Sequence, residues 1–141
     1  MSSFTSLQEI SEKYCITFND DNPLKKDIVA IFNGKTLEDN VVENNDSLAN
    51  YMGLYHHYVS INYDKMKRYY LMAIKKNNVC AMTNLANYYY NTENYDDMKK
   101  YYLMAIEKDD AYAMVRMGNY HLTITKNYDE MKKYYLMAIE K

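Results

Sequence analysis

Residues 95–108 read YDDMKKYYLMAIEK, and nearly the same stretch occurs twice more, as YDKMKRYYLMAIKK at 63–76 and YDEMKKYYLMAIEK at 128–141. The copies begin 32 and 33 residues apart, which is about the length of one helical hairpin. A nearly constant period of this length is typical of proteins built from helix-turn-helix repeats. The repeat therefore predicts an all-α fold in which hairpins stack on one another.

A second, looser phrase precedes each copy and predicts the other helix of the hairpin. Residues 81–88, AMTNLANY, align with AMVRMGNY at 113–120 and with LANYMGLY at 48–55. We call the helix of this phrase helix A and the helix of the longer phrase helix B. The chain then divides into a non-repeat segment, residues 1–45, and three repeats, residues 46–78, 79–110 and 111–141.

Helix B has an apolar side that is unusually wide for an amphipathic helix. At about 100° per residue, the main apolar arc of the second copy contains Met98, Tyr101, Tyr102, Ala105 and Ile106. The Leu-Met pair of each copy falls outside this arc, so we expect it to pack against the next repeat. Small residues recur on helix A, where they predict close contact between two helix backbones: Gly53, Ala86 and Gly118.

The joints between repeats are short and polar. Helix B is followed directly by Asn77-Asn78 or by Asp109-Asp110 before the next helix A. Asparagine and aspartate accept hydrogen bonds from the free N–H groups of a first helical turn. We therefore expect these residues to cap the helix that follows.

These features resemble the Sel-one-like repeat and its tetratricopeptide relatives, over residues 46–141. The resemblance is carried by Leu85-Ala86 or Met117-Gly118 on helix A and by Met98, Tyr102 and Ala105 on helix B. The glycine-rich insertion of Sel-one-like repeats and the closing proline of tetratricopeptide units are both absent. The tandem copies also resemble repeat proteins of giant DNA viruses of amoebae. The resemblance implies a right-handed α-solenoid that binds a protein or peptide on its concave face.

Residues 1–45 show no repeat, and we expect them to cover the open end of the first repeat. Asn22-Pro23 before an apolar run and Gly34 after it are typical of a capped helix with proline at its first position. Asn33-Gly34 after a β-branched run is equally typical of a hairpin turn. Residues 24–37 are thus helix or hairpin, and we favour the helix.

Composition argues against several classes of function. The net charge is −2 with both signs interspersed, which offers no basic surface for nucleic acid or for an anionic membrane. No apolar run approaches a membrane span, and the first residues do not resemble a secretory signal. Cys15 and Cys80 lack any zinc-ligand spacing, so we expect free thiols, no metal and no cofactor. The expected location is the cytoplasm, or the host cytoplasm if the protein is viral.

The sequence contains no phosphate-binding loop, dinucleotide fingerprint or hydrolase signature, so we expect no catalytic residues and no enzymatic activity. His56 and His121 occupy the helix A position of Tyr89, which favours a structural role over a ligand role. The acidic pairs that open helix B, such as Asp96-Asp97, suit the positive end of the helix dipole better than acid–base chemistry.

The resemblance implies that helix A lines the binding face. Nine residues are expected to be exposed there: Asn50, Leu54, His57, Thr83, Asn87, Tyr90, Val115, Asn119 and Leu122. Related peptide-binding repeats use asparagine at positions 87 and 119 to bind a peptide backbone, with lysine where this chain has Thr83. Asparagine in an Asn-rich chain is also expected simply as a solvated residue, so both interpretations stay open.

Two functions from different classes follow. The first is an interaction scaffold or adaptor that binds a protein partner of unknown identity on the concave face. The second is the targeting arm of a larger enzyme or ligase whose chemistry lies outside this chain. The last helix, with Tyr134, Leu136 and Met137, has no following repeat in this sequence, which suggests end-to-end self-association as a further possibility.

Overall fold

The computed structural model describes residues 3–19 and 21–141, and within these ranges all regular structure is helical. The described chain forms two units, Met1–Asn78 and Val79–Lys141. The first unit contains α1 (Leu7–Tyr14), α2 (Lys25–Phe32), α3 (Asp39–Glu43), α4 (Asp46–Tyr58) and α5 (Tyr63–Lys75). The second contains α6 (Val79–Asn91), α7 (Tyr95–Ile106), α8 (Ala111–Tyr120), a π-helical turn (His121–Thr125) and α9 (Tyr128–Ile139). The all-α prediction is confirmed.

The three B helices begin at the first residue of each repeated phrase because an asparagine stands just before it. The side chains of Asn62, Asn94 and Asn127 accept hydrogen bonds from the backbone N–H three residues later, at 3.1, 3.3 and 3.2 Å. Each bond satisfies one of the donors that a first helical turn leaves free. Helices A and B of each repeat then pack against each other, as α4 with α5, α6 with α7 and α8 with α9.

The two glycines of helix A, Gly53 and Gly118, face aromatic rings, so the expected contact between two backbones is wrong at these positions. A Cβ atom added at Gly53 would lie 2.4 Å from Cδ1 of Tyr70, and one added at Gly118 would lie 2.4 Å from Cε1 of Tyr135. Both tyrosines belong to helix B of the same hairpin. Glycine therefore provides room for a ring that lies flat against helix A, and the second backbone stays behind that ring.

The expectation that the Leu-Met pair of helix B would be covered is wrong for the leucines. Leu71, Leu103 and Leu136 occupy the same position in the three copies and are 45%, 41% and 48% exposed. By contrast, Met98, Tyr102 and Ala105 of the main arc are fully buried. Helix B thus buries one arc and leaves an apolar residue of its outer side in solvent.

The non-repeat segment forms a helix rather than a hairpin over Lys25–Phe32, as we favoured. Its end at Gly34 has φ +95°, and the N–H groups of Gly34 and Lys35 reach back to the carbonyls of Ile31 and Ala30 at 2.9 and 3.0 Å. The predicted start is wrong, because the helix begins two residues after Pro23. Instead, the side chain of Asn22 accepts from the N–H of Leu24 at 2.9 Å and forms a turn before the helix.

Within the first unit, the N-terminal segment packs against α4 in the way that α7 packs against α8 in the second. Tyr51 contacts the Phe18 ring at 5.9 Å and accepts a hydrogen bond from Asn22 at 2.9 Å. Tyr55, one turn later, contacts Phe32 at 6.2 Å. The corresponding residue of α8, Tyr120, contacts Tyr95 of α7 at 5.4 Å. The segment thus takes the place of a preceding helix B.

The two residues of the joint Asp109-Asp110 have different structural roles. Asn77 and Asp109 adopt left-handed backbone conformations, with φ +64° and +62°, and end the preceding helix B. Asp110 caps α8, since its carboxylate accepts from the N–H of Ala113 at 2.9 Å. The expected capping is therefore confirmed at Asp110, whereas Asp109 turns the chain.

Candidate protein-binding face

Three of the nine expected binding residues are buried, so their predicted exposure is wrong. Asn50, Leu54 and Thr83 are each less than one tenth exposed. Since α4 packs against α2, α3 and α5, only a narrow strip of it reaches solvent. Thr83 is short, and its hydroxyl donates to the carbonyl of Cys80 at 3.0 Å, which keeps the side chain against its own helix. These residues cannot bind a partner in this arrangement.

His57 of the first unit is half-buried and engaged within its own hairpin. Its Nδ1 lies 3.2 Å from the hydroxyl of Tyr70, and its ring stacks on Tyr58 with centroids 4.2 Å apart. Burial lowers the pKa of His57 to about 4. The imidazole is therefore neutral near pH 7 and contributes packing and one hydrogen bond rather than charge.

Asn87 in the second unit is half-buried, and tyrosine hydroxyls use both ends of its amide. Its Oδ1 accepts from Tyr102 of the same hairpin, while Nδ2 lies 3.1 Å from the hydroxyl of Tyr112 in the next helix A. Burial raises the pKa of Tyr102 to about 12, so this phenol stays a donor at all ordinary pH values. The backbone-binding role that the resemblance implies for Asn87 would require breaking these bonds.

Asn119 occupies the equivalent position on α8 but keeps its donor. Its Oδ1 accepts from Tyr135, as Asn87 accepts from Tyr102. Its Nδ2 makes no hydrogen bond to any residue that the structure describes. Since no polar side-chain atom in that part of the chain is both buried and unpartnered, this Nδ2 reaches solvent. Asn119 is therefore able to donate to a bound molecule.

Arg116 also contributes to this face, although sequence reasoning did not select it. Its Nε donates to the hydroxyl of Tyr102 at 3.1 Å, and its guanidinium lies over the ring of Tyr90, 4.9 Å from the centroid. A signal was present in the sequence, because Arg116 is the only charged residue within α6 and α8. The repeat alignment did not point to Arg116, however, because the equivalent residues of the other helices A are Tyr51 and Asn84, which carry no charge.

The accessible residues form one line along α8, which we call the α8 stripe. Four of its members follow helical spacing, and the fifth lies in the π-helical turn: Tyr112, Val115, Arg116, Asn119 and Leu122. Tyr112, Val115 and Leu122 are exposed, while Arg116 and Asn119 are partly exposed. With Tyr90 beneath Arg116, the second unit thus brings together four of the nine expected residues, Tyr90, Val115, Asn119 and Leu122. The stripe has apolar residues at both ends and two hydrogen-bond donors, Arg116 and Asn119, between them.

Within the described ranges, no group of three or more His, Cys, Asp or Glu residues is arranged to hold a metal ion. No helix among the described residues has the length and apolar character that a membrane crossing requires. Comparison with protein-family models, with curated proteins and with solved structures gave no match to this chain.

Proposed function

We propose that this protein is a right-handed α-solenoid of Sel-one-like or tetratricopeptide-like repeats that binds a segment of another protein and catalyses no reaction itself. The observation that carries the proposal is the α8 stripe. It combines exposed apolar side chains with two donors, Arg116 and Asn119, whose available N–H groups have no acceptor among the described residues.

The dimensions of the stripe support a polypeptide segment as the bound molecule. From Val115 to Leu122 the helix rises by about 10 Å, at 1.5 Å per residue. A peptide in the polyproline II conformation covers about 9 Å in three residues and returns its side chain to the same face, so two of its side chains can contact the apolar ends. Its main chain then runs past Asn119, which lies between them. Apolar contacts at both ends with polar contacts in the middle are common in peptide recognition.

The charge distribution supports a protein partner over nucleic acid. Arg116 is the only cation within α6 and α8, and the whole chain carries a net charge of −2. A nucleic-acid surface needs several Lys or Arg residues to neutralise successive phosphates. Apart from the exposed Tyr112 and Tyr128, the tyrosines of this unit are at least partly buried, as Tyr90 is beside Tyr95 at 6.2 Å.

The experiment compares two double variants, each of which replaces two apolar side chains of similar fractional exposure. Val115→Asn/Leu122→Asn changes the stripe at side chains that are 40% and 39% exposed, and Leu103→Asn/Leu136→Asn changes helix B at side chains that are 41% and 48% exposed. Circular dichroism first establishes that both variants are as helical as the wild type. Each full-length protein is then used for affinity capture from the native cell.

We expect a partner that the wild type and the helix B variant capture and that the stripe variant loses. Equal capture by both variants would show that the α8 stripe is not the binding surface. Loss with the helix B variant alone would move the binding surface to the outer leucines and contradict the proposal.

A further inference from the structure

We infer that the α8 stripe recognises an acidic side chain within the partner segment, whose carboxylate binds Arg116 while Asn119 donates to an adjacent main-chain carbonyl. The inference rests on the proposed function and specifies its ligand. It begins from an imbalance of charge. Arg116 is partly buried among Tyr90, Tyr102 and Tyr112, and within the described chain no carboxylate lies within ion-pair distance of it.

Four other cations of the described chain, Arg68, Lys99, Lys133 and Lys141, do have such partners, even at exposed sites. The guanidinium of Arg68 lies 2.7 Å from Asp39, and Lys141 lies 2.8 Å from Asp109. Partial burial of a charge without a counter-ion costs free energy, and a bound carboxylate offsets this cost. Arg116 is thus a partly buried cation that lacks an acidic partner among the described residues.

The edge of the guanidinium that can bind a carboxylate through two N–H groups is available. Nε is used by Tyr102, so the remaining donors are those of Nη1 and Nη2, which form the end of the planar group. These atoms make no hydrogen bond among the described residues, and because none of them is both buried and unpartnered, they reach solvent. Two parallel N–H donors match the two oxygens of one carboxylate.

The orientation of this edge is fixed before a ligand binds. The bond to Tyr102 at 3.1 Å holds one side of the guanidinium, and the ring of Tyr90 supports its face at 4.9 Å. Tyr102 is itself held by Asn87. A side chain that is already ordered loses little conformational entropy on binding, which strengthens recognition.

A second donor lies at the distance that a peptide requires. Asn119 is three residues further along α8, a rise of about 4.5 Å, and its Nδ2 reaches solvent. A peptide that places an acidic side chain at Arg116 brings a main-chain carbonyl close to this amide. Val115 lies beside the carboxylate position, and Leu122 lies beyond the carbonyl, where an apolar side chain of the partner would pack.

The same residues favour a side-chain carboxylate over a phosphate or a chain end. A phosphoryl group carries about −1.5 to −2 charges at pH 7, and this site offers one cation. The grip on a chain end that the resemblance implies would use positions 83 and 87. Thr83 is buried, and the amide of Asn87 is bonded to Tyr102 and Tyr112. One monovalent carboxylate within a continuous segment fits the site.

The test uses a random twelve-residue peptide library fused at its C-terminus to a phage coat protein, so that no peptide ends in a free carboxylate. The full-length protein is immobilised, and phage that also bind Val115→Asn/Leu122→Asn are removed. Synthetic peptides with amidated C-termini are then made from the selected sequences. Each is prepared with its recurrent Asp or Glu and with Asn or Gln in its place, and affinities are measured for wild type, Arg116→Met and Arg116→Lys.

We expect selected peptides to share one Asp or Glu next to apolar residues, and its neutralisation to weaken binding to the wild type about tenfold. With Arg116→Met the same neutralisation should change the affinity less than about twofold, and Arg116→Lys should give an intermediate ratio. The inference would be overturned if neutralising the acid weakened binding by the same factor in wild type and in Arg116→Met, with both proteins equally helical.

Other outcomes separate this inference from the proposed function. Peptides selected on the stripe that share no acidic position would overturn the acidic specificity and leave the protein-binding function standing. Selection that yields no peptide dependent on Val115 and Leu122 would overturn both. A second library presents peptides with free C-termini. If only peptides that bind through their terminal carboxylate were selected from it, the ligand would be a chain end instead of an acidic side chain, and the inference would be contradicted.

Discussion

Replacing Gly53 by alanine should destabilise the first unit, although alanine is the better helix former. The added Cβ would lie 2.4 and 2.5 Å from Cδ1 and Cε1 of Tyr70. Normal carbon–carbon contact needs at least about 3.5 Å, so the ring must retreat by about 1 Å. Tyr70 is fully buried, and its hydroxyl is bonded to His57, so both ends of the side chain resist that movement.

The expected magnitude is a difference between two opposing effects. Overpacking of a well-filled site costs about 1–3 kcal/mol. The change from glycine to alanine inside a helix returns about 1 kcal/mol of helix propensity. The net loss for Gly53→Ala is therefore about 1 kcal/mol. Gly118→Ala should be closer to neutral, because Tyr135 is partly exposed and has room to turn outward.

The assay is urea unfolding followed by far-UV circular dichroism at pH 7, with Ala86→Gly as a matched reverse change. Ala86 occupies the equivalent position in the second repeat, and its replacement should cost about 1 kcal/mol or more from helix propensity alone. If Gly53→Ala proves as stable as the wild type or more stable, the ring of Tyr70 is not held as we describe, and helix propensity decides the outcome.

Three further predictions concern the ends of helices and the effect of pH. Asn94→Ala should lower the free energy of unfolding by about 1 kcal/mol, because it removes the cap of α7; an unchanged urea midpoint would show that water replaces the side chain without cost. Asp109→Gly should stabilise the second unit by up to about 1 kcal/mol, because φ +62° is strained for aspartate but not for glycine; a lower melting temperature would mean that the ion pair with Lys141 outweighs the backbone strain. Acidification should destabilise the first unit, since the pKa of His57 is lowered to about 4 and the unfolded chain takes up this proton below pH 6.5 while the folded chain does not. Stability should thus be complete above pH 6.5 and fall towards pH 4 by at most about 1.4 kcal/mol per pH unit. Thermal unfolding of wild type and His57→Gln should show a flatter pH dependence in the variant.

The repeated phrases predicted the helices well because they carry local signals. α5, α7 and α9 begin at Tyr63, Tyr95 and Tyr128, the first residue of each copy. An asparagine cap, a regular apolar arc and the absence of internal proline act within one helix and its own hairpin. Such signals are present in the sequence itself, and they do not depend on what the rest of the chain does.

The candidate site was only partly predictable because exposure is not a property of one helix. The repeat alignment places Asn50 and Leu54 at the positions of Val115 and Asn119. Yet α4 has other helices on several sides and buries the first pair, whereas α8 leaves Val115 exposed and Asn119 partly exposed. Likewise, Arg116 became part of the site through the ring of Tyr90 and the hydroxyl of Tyr102, which neighbouring helices supply.

The repeats are unequally spaced because two of them have one extra residue, which is held in a wider turn after helix A. Tyr63 follows Tyr55 by eight positions and Tyr128 follows Tyr120 by eight, but Tyr95 follows Tyr88 by only seven. The third repeat absorbs its additional residue in the π-helical turn His121–Thr125. The first absorbs it in a similar way, since the N–H of Ser60 reaches back five residues to the carbonyl of Tyr55 at 3.1 Å. A π-type turn is the usual way for a helix to hold one extra residue.

Histidine occurs in the two repeats that have this wider turn, and in both of them its Nδ1 lies at hydrogen-bond distance from a hydroxyl group of the turn. Nδ1 of His56 lies 2.7 Å from the hydroxyl of Ser60, and Nδ1 of His121 lies 2.9 Å from that of Thr125. In all three repeats the ring at this place stacks on a tyrosine of helix B, at 5.5 to 5.9 Å, with Tyr89 taking the place of histidine in the shorter repeat. Tyrosine supplies the stacking face alone, whereas histidine also ties the extra residue's turn to the helix. The histidines are therefore parts of the hairpin, and the binding that we propose for the second unit rests on Arg116 and Asn119 instead.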